Sequence, residues 1–272
     1  MKNIYNGKRY ISINMEANKR VVLIGAGNVA THLGLALQAK GHDVVQVYSR
    51  TEASASELAS RLGCGCVTSL DWVCTDAEIY IVALKDAVLR ELIPAIVKGR
   101  EGALFVHTAG SIPMDVWKGH ARHYGVLYPM QTFSKASPVD LETVSFFVEA
   151  NGGEELQILK NMASAFTHKV YEATSDQRSC LHMAAVFICN FTNHMYALGA
   201  YLLEKNGLPF EAMLPLIEET ARKVHELSPK DAQTGPAIRG DENVMRRHLD
   251  MLSDETALQE LYKKISKSIQ TI

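Results

Sequence analysis

Residues 21–30 read Val21-Val22-Leu23-Ile24-Gly25-Ala26-Gly27-Asn28-Val29-Ala30, and this stretch decides how the rest of the chain is read. Four successive apolar residues suit a parallel strand covered on both faces. Gly25 and Gly27 then permit a tight turn and a close approach of the backbone to a diphosphate, with Ala30 in the third small position. From Asn28 to about Lys40 the apolar residues Val29, Leu33, Ala36 and Leu37 recur at helical spacing, and Gly41 ends the run. A helix opening at such a turn points its free N–H groups and the positive end of its dipole at an anion. Strand, glycine turn and helix in this order predict a dinucleotide site at Gly25, Gly27, Asn28 and Val29; a tight turn without a ligand is the plainer alternative.

Working outward, Asp43 to Tyr48 (DVVQVY) reads as a second buried strand ending in Ser49-Arg50-Thr51, roughly 20 residues after the turn, where cofactor choice is made. A carboxylate there would accept hydrogen bonds from ribose hydroxyls, whereas Ser49, Arg50 and Thr51 offer donors and a cation to a 2′-phosphate. NADP is therefore expected over NAD, against the alternative that Arg50 is a solvated strand-end arginine. A helix over Ala53–Leu62, a short strand around Cys64–Val67 and a strong strand over Glu78–Leu84 follow. Ligands in such sheets lie over the carboxyl ends of the strands, so Ala83, Leu84 and Lys85 should line the cofactor near its nicotinamide half. The strand Ala103–Val106 ends in His107-Thr108-Ala109-Gly110-Ser111, which brings Thr108 and Ala109 into the same row. His107 and Ser111 serve there equally well as ordinary turn hydrogen bonders.

Further strands at Gly125–Tyr128, Ser145–Glu149 and Lys169–Glu172, with a helix over Glu154–Phe166, continue the alternation to about Ala173. This predicts an α/β fold: a doubly wound Rossmann sheet of about eight strands with room for an antiparallel edge. From Ser175 onward only helical periods occur, with Ser175 and Asp176 as caps of a long helix to about Glu204, stopped by Gly207 and Pro209. The expected organisation is an N-terminal extension at 1–18, a cofactor domain at 19–173 and an all-helical C-terminal domain at 174–272. Met15, close before the first strand, offers an alternative natural start.

The 272 residues are 47 % hydrophobic and 21 % charged with a formal net charge of −2, an ordinary globular composition without the basic stripe that nucleic acid requires. No apolar run approaches the ~20 residues of a membrane helix. Five cysteines are an odd number, and Cys64-x-Cys66 matches no usual zinc spacing, so no metal is expected. Buried free thiols and a cytoplasmic location are the plain expectation.

Taken together, GAGNVA, YSRT, HTAGS, YPMQTF, HMAAVFICNFTNH (182–194) and AQTGPAIRGD (232–241) resemble a family of Rossmann-like NADP oxidoreductases with a helical C-terminal domain of undefined function. That family looks related to pyrroline-5-carboxylate reductase, the deazaflavin-dependent NADP oxidoreductases and the 6-phosphogluconate or β-hydroxyacid dehydrogenases. The resemblance implies the two-part fold, NADP and a homodimer formed through the helical domain, but carries no substrate with it. It also has a departure: the lysine-and-asparagine helix motif of the β-hydroxyacid dehydrogenases is missing, since the long helix offers His182, Asn190 and Asn193 with no lysine. Met183, Val186, Phe187, Phe191, Met195 and Tyr196 put apolar residues on more than one helix face, which suits a dimer or, alternatively, burial within one subunit.

A hydride carrier needs a proton donor beside it. His182, Val186, Asn190 and either Asn193 or His194 fall roughly along one face of an α-helix. The functional reading makes His182 the acid–base group, with Asn190 and Asn193 orienting substrate or the cofactor amide; a hydrogen-bonded buried helix contact is the alternative. In AQTGPAIRGD, Gly235-Pro236 predicts a structured loop presenting Thr234, Arg239 and Asp241. Arg239 is placed to clamp a carboxylate or phosphate, unless Asp241 caps the helix Glu242–Leu252 and Arg239 only braces the loop. The expectation is an NADP(H)-dependent oxidoreductase acting on a small, anionic carbonyl or imine, with His182 and Arg239 facing one pocket between the domains. The alternatives are an imine reductase close to pyrroline-5-carboxylate reductase, and a non-catalytic NADP(H)-binding redox sensor.

Overall fold

The computed structural model describes residues 18–271. The expected extension, Asn18 apart, and the alternative start at Met15 lie outside the described residues. The sheet has the order β3-β2-β1-β4-β5-β6-β7-β8. Its strands are β1 (Arg20–Ile24), β2 (Asp43–Tyr48), β3 (Gly65–Val67), β4 (Ile79–Val82), β5 (Leu104–His107), β6 (His123–Met130), β7 (Ser145–Ala150) and β8 (Val170–Glu172). Helices α1 (Asn28–Ala39), α2 (Glu52–Leu62), α3 (Asp86–Val97) and α4 (Gly153–Ser164) connect them. All neighbours through β6 are parallel; β7 runs antiparallel to β6 and β8 parallel to β7. The chain crosses from β3 back to β4 beside β1, and that reversal opens a crevice at the carboxyl ends of β1 and β4.

Successive side chains of a strand point to opposite faces, and β1 uses both. Val21 and Leu23 enter one core with Leu33, Leu37, Leu58 and Leu159. Val22 and Ile24 enter the other with Leu89, Ile93, Phe105 and Trp117. A continuous apolar run is what a strand buried on both faces requires.

The chain is helical again over α5 (Ser175–Ala185), a π turn (Val186–Phe191) and α6 (Thr192–Lys205). It divides into two compact units after Thr192. The change from alternating to purely helical structure thus comes earlier than the division by compactness, because α5 packs on the sheet. Thr174, rather than Ser175 or Asp176, caps α5: its hydroxyl accepts from Gln177 N–H while the Gln177 side chain accepts from Thr174 N–H at 2.9 Å. Ser175 is instead engaged with Glu149.

The second unit contains most of α6, then α7 (Leu214–Lys223), α8 (Pro236–Arg239), α9 (Glu242–Met251) and α10 (Thr256–Thr271). The segment expected as a loop therefore includes one helical turn, set between Gly235 at φ +108° and Gly240 at φ +68°. Proline at the first position of that turn loses no hydrogen bond, which is why Gly-Pro opens it. Among the described residues of this unit only Ala237 and Leu252 are buried apolar side chains. A cavity of about 410 Å³ lies among α6, α8, α9 and α10, lined by Leu198, Leu202, Leu261 and Ile265 and by His248, which shares a 2.9 Å hydrogen bond with Tyr262.

Among the described residues no helix is long and apolar enough to cross a membrane. All five cysteines are free, but the expectation of buried thiols is corrected: Cys180 is exposed and the others are half-buried. Cys66, Cys180 and Cys189 lie within β3, α5 and the π turn on faces that meet solvent, and Cys64 and Cys74 lie in connections.

Candidate cofactor and catalytic site

The two glycines of the turn differ in kind. Gly25 N–H donates to the Tyr48 carbonyl at 2.8 Å, tying the turn to the end of β2. Its φ is +119°, and a Cβ there would stand 2.4 Å from the Ala83 carbonyl oxygen. Both backbone conformation and the neighbouring end of β4 therefore require glycine. Gly27 has φ −82° and nothing within 4 Å of its would-be Cβ. Its open side is a cradle that a side chain would fill. No side chain caps α1 and no carboxylate occupies its first turn, so its N–H groups face outward beside that cradle. These features fit a dinucleotide diphosphate. Asn28 spends its side chain on the protein, donating to the Phe133 carbonyl at 2.8 Å, and His32 Nε2 lies 2.9 Å from the Ser134 carbonyl. The segment after β6 is thereby laid along the start of α1.

Ser49, Arg50 and Thr51 occupy the end of β2, where Ser49 N–H donates to Val67 at 3.2 Å and Arg50 is exposed. Thr51 is the N-cap residue of α2, with its hydroxyl donating to Ser54 at 3.0 Å. Ala83 and Leu84 follow β4 directly, and Lys85 is the N-cap residue of α3. Thr108 N–H donates to the Val82 carbonyl at 3.2 Å, which joins the ends of β4 and β5. Ser111 hydrogen-bonds Asp86 at the start of α3.

His107 resolves in favour of the turn-former. It is fully buried, its Nδ1 accepts from Ala109 N–H at 3.2 Å, and burial, reinforced by the Arg178 charge, pushes its pKa down to about 3. Because the folded value lies below the ordinary 6.5, the unfolded chain binds the proton more readily. The stability from neutral His107 is thus full above about pH 6.5 and is lost as pH falls toward 3. Melting temperatures of wild type and His107→Gln should converge as pH drops from 7 to 4. A constant gap would refute this.

The sequence pattern did not reveal what orients α5. Arg178, only 1 % exposed, donates to Glu149 at 2.5 Å and to the Ile112 carbonyl at 2.6 Å. Ser175 donates to Glu149 from both N–H and hydroxyl, at 3.0 and 2.8 Å. This buried pair fixes the rotation of α5 about its axis. His182, one turn further along the same face, then lies against the loop after β5: a Cβ on Gly110 would fall 2.8 Å from His182 Nδ1. His182 is exposed, and its Nδ1 is 3.4 Å from the Tyr128 hydroxyl. Tyr128 lies within the YPMQTF run but was not among the expected site residues.

The row through Asn190 and Asn193 needs correction. The π turn at Val186–Phe191 inserts a wider turn, so the α-helical spacing that aligned them with His182 does not hold beyond Ala185. Both asparagines are exposed rather than buried in a helix contact. In the second unit Thr234 and Arg239 are exposed, with Arg239 ending α8. Asp241 caps α9, its carboxylate accepting from Val244 N–H at 3.3 Å.

A family described as "NADP oxidoreductase coenzyme F420-dependent" matches residues 20–110, and one described as "Domain of unknown function (DUF2520)" matches residues 144–269. A Bacteroides fragilis protein described as a "putative NADP oxidoreductase" is 58 % identical over 95 % of this chain and 100 % of its own, with TM-score 0.91. An imine reductase from Myxococcus stipitatus in complex with NADP+ shares the fold at 15 % identity, covering 93 % of this chain and 92 % of its own, with TM-score 0.65. A 1-pyrroline-5-carboxylate reductase from Streptococcus pyogenes does so at 14 % identity, covering 94 % and 99 %, with TM-score 0.62. No curated protein matches the chain.

Proposed function

Because the chain belongs to the family of NADP oxidoreductases that the Bacteroides fragilis protein represents, we propose that it transfers a hydride between NADP(H) and a small, anionic carbonyl or imine compound. The open cradle at Gly27 and the uncapped start of α1 bind the diphosphate, Ser49, Arg50 and Thr51 take the 2′-phosphate, and Ala83, Leu84, Lys85, Thr108 and Ala109 flank the nicotinamide half. NADPH, when bound, supplies the hydride. The chain supplies the proton, and the observation that carries this assignment is the anchoring of α5 by Arg178, which sets His182 beside Gly110 at the end of β5. Imidazole titrates near neutral pH and so exchanges a proton in either direction.

The direct test is NADPH oxidation against a panel of 2-oxo acids, aldehydes and cyclic imines. Steady turnover with one member supports the enzyme; tight NADPH binding without turnover of any supports the redox sensor instead. For the cofactor, Arg50→Asp removes the cation and adds repulsion, and should abolish the preference for NADP over NAD by titration. Equal binding of NAD and NADP to the unmutated protein would overturn the selector.

We assign a homodimer to the helical region. Met183, Phe187, Leu216 and Met251 are 59, 64, 62 and 78 % exposed, which is costly for side chains of this size left in water. Light scattering at micromolar concentration should give twice the chain mass; a monomer would refute the assignment.

A further inference from the structure

Tyr128 stands where neighbouring strands end unevenly. His107, the last residue of β5, pairs with Val126, so Tyr128 lies two residues beyond β5 at the carboxyl edge of the sheet. Its ring is 8 % exposed and meets the His182 ring edge to face, at 70° and 6.4 Å between centroids. The hydroxyl lies 3.4 Å from His182 Nδ1. The Gly110 backbone is wedged against both: a Cβ there would fall 2.8 Å from His182 Nδ1 and 2.9 Å from Tyr128 Cζ. Glycine at 110 is thus required for the two rings to meet, although its φ is not in the left-handed region. Burial raises the Tyr128 pKa, which keeps the phenol protonated and uncharged near neutral pH.

Imidazole has two nitrogens, and engaging one decides which is left for the reaction. A hydroxyl accepts as well as donates, so Tyr128 can hold Nδ1 whether or not that nitrogen carries a proton. Nε2 of His182 makes no hydrogen bond among the described residues, and His182 is the exposed member of the pair. We propose that Tyr128 is a positioning residue: its hydroxyl engages His182 Nδ1, fixes the ring over Gly110 and leaves Nε2 as the nitrogen that exchanges the proton with the substrate. The step balances simply. As the substrate carbon gains the hydride, its oxygen or nitrogen takes the Nε2 proton of the imidazolium, which is left neutral with its remaining proton on Nδ1, directed at the Tyr128 oxygen. The proposal rests on His182 being the proton donor, and its test separates the two ideas.

Long-range proton–nitrogen NMR of the cofactor-free protein reads the His182 nitrogens directly. Tyr128→Phe removes the hydroxyl and keeps the ring, and should shift the Nδ1 resonance while leaving NADPH affinity unchanged. Gly110→Ala drives a methyl group between the rings and should shift Nδ1 in the same way with the hydroxyl still present. In turnover of the fastest panel compound, Tyr128→Phe should lower kcat about tenfold or more, the scale of a misplaced catalytic group. In a His182→Gln background it should cost nothing further, because the two residues act as one unit. An unchanged Nδ1 resonance in Tyr128→Phe, or losses that multiply in the double variant, would overturn the positioning role. If His182→Gln alone keeps full turnover, the proton-donor assignment fails whatever the spectra show.

Discussion

Gly27→Val is expected to weaken NADP binding severely while leaving the protein folded. Nothing stands within 4 Å of the Gly27 Cβ position and its φ of −82° is open to any residue, so the valine meets no protein atom. What it meets is the ligand. A side chain in the cradle pushes the diphosphate off the N–H groups of α1, and a penalty of about 3 kcal/mol, the upper range of overpacking costs, weakens binding about a hundredfold. The melting temperature should stay near that of the unmutated protein. Gly25→Val is the contrasting variant: at φ +119°, with a Cβ 2.4 Å from the Ala83 carbonyl, it strains the backbone where β1 and β4 meet and should destabilise the fold itself. Retained NADP affinity in Gly27→Val would show that the diphosphate lies elsewhere.

His182→Gln should lower turnover by ~10²–10⁴-fold, the usual contribution of a positioned general acid, with little change in NADPH affinity. Glutamine keeps a hydrogen-bonding side chain of similar reach but cannot deliver a proton near neutral pH. The anchor that orients α5, Arg178 on Glu149 and Ile112, is untouched by the substitution, so loss of rate would reflect chemistry rather than a displaced helix. Equal loss of NADPH affinity and turnover would instead assign His182 to cofactor binding. Unchanged turnover would remove it from the reaction.

Much of the fold was legible because strand and helix periods are local. Asp43–Tyr48 forms a strand over the expected bounds, and the eight strands occur in the expected places, with β6 running two residues further at each end because β5 pairs with His123 and Tyr124 and β7 with Pro129 and Met130. The cap of α5 is Thr174, one residue before Ser175, since Thr174, Ser175 and Asp176 are all competent caps and only the capping box with Gln177 chooses among them. The π turn was not legible: its wider hydrogen bonding has no sequence period of its own, so the α-helical spacing through Asn190 and Asn193 is one the chain does not keep there. In AQTGPAIRGD, the sequence marked Gly235-Pro236 as a break but not the helical turn it starts.

By itself, the sequence determined the alternation that builds a doubly wound sheet, the glycine turn that makes it a dinucleotide fold, and the helical character of everything after Ala173. These follow from the order of residues along a few turns of chain. Only the tertiary structure separated the two glycines of the turn: the end of β4, 58 residues later in the chain, brings the Ala83 carbonyl against Gly25, whereas the Cβ position of Gly27 faces open space. It alone also showed that Arg178 is spent on Glu149 and that His182 meets Tyr128 across Gly110. Such pairings depend on strand order and on the rotation of a helix about its axis, both set by long-range packing and invisible to any local pattern.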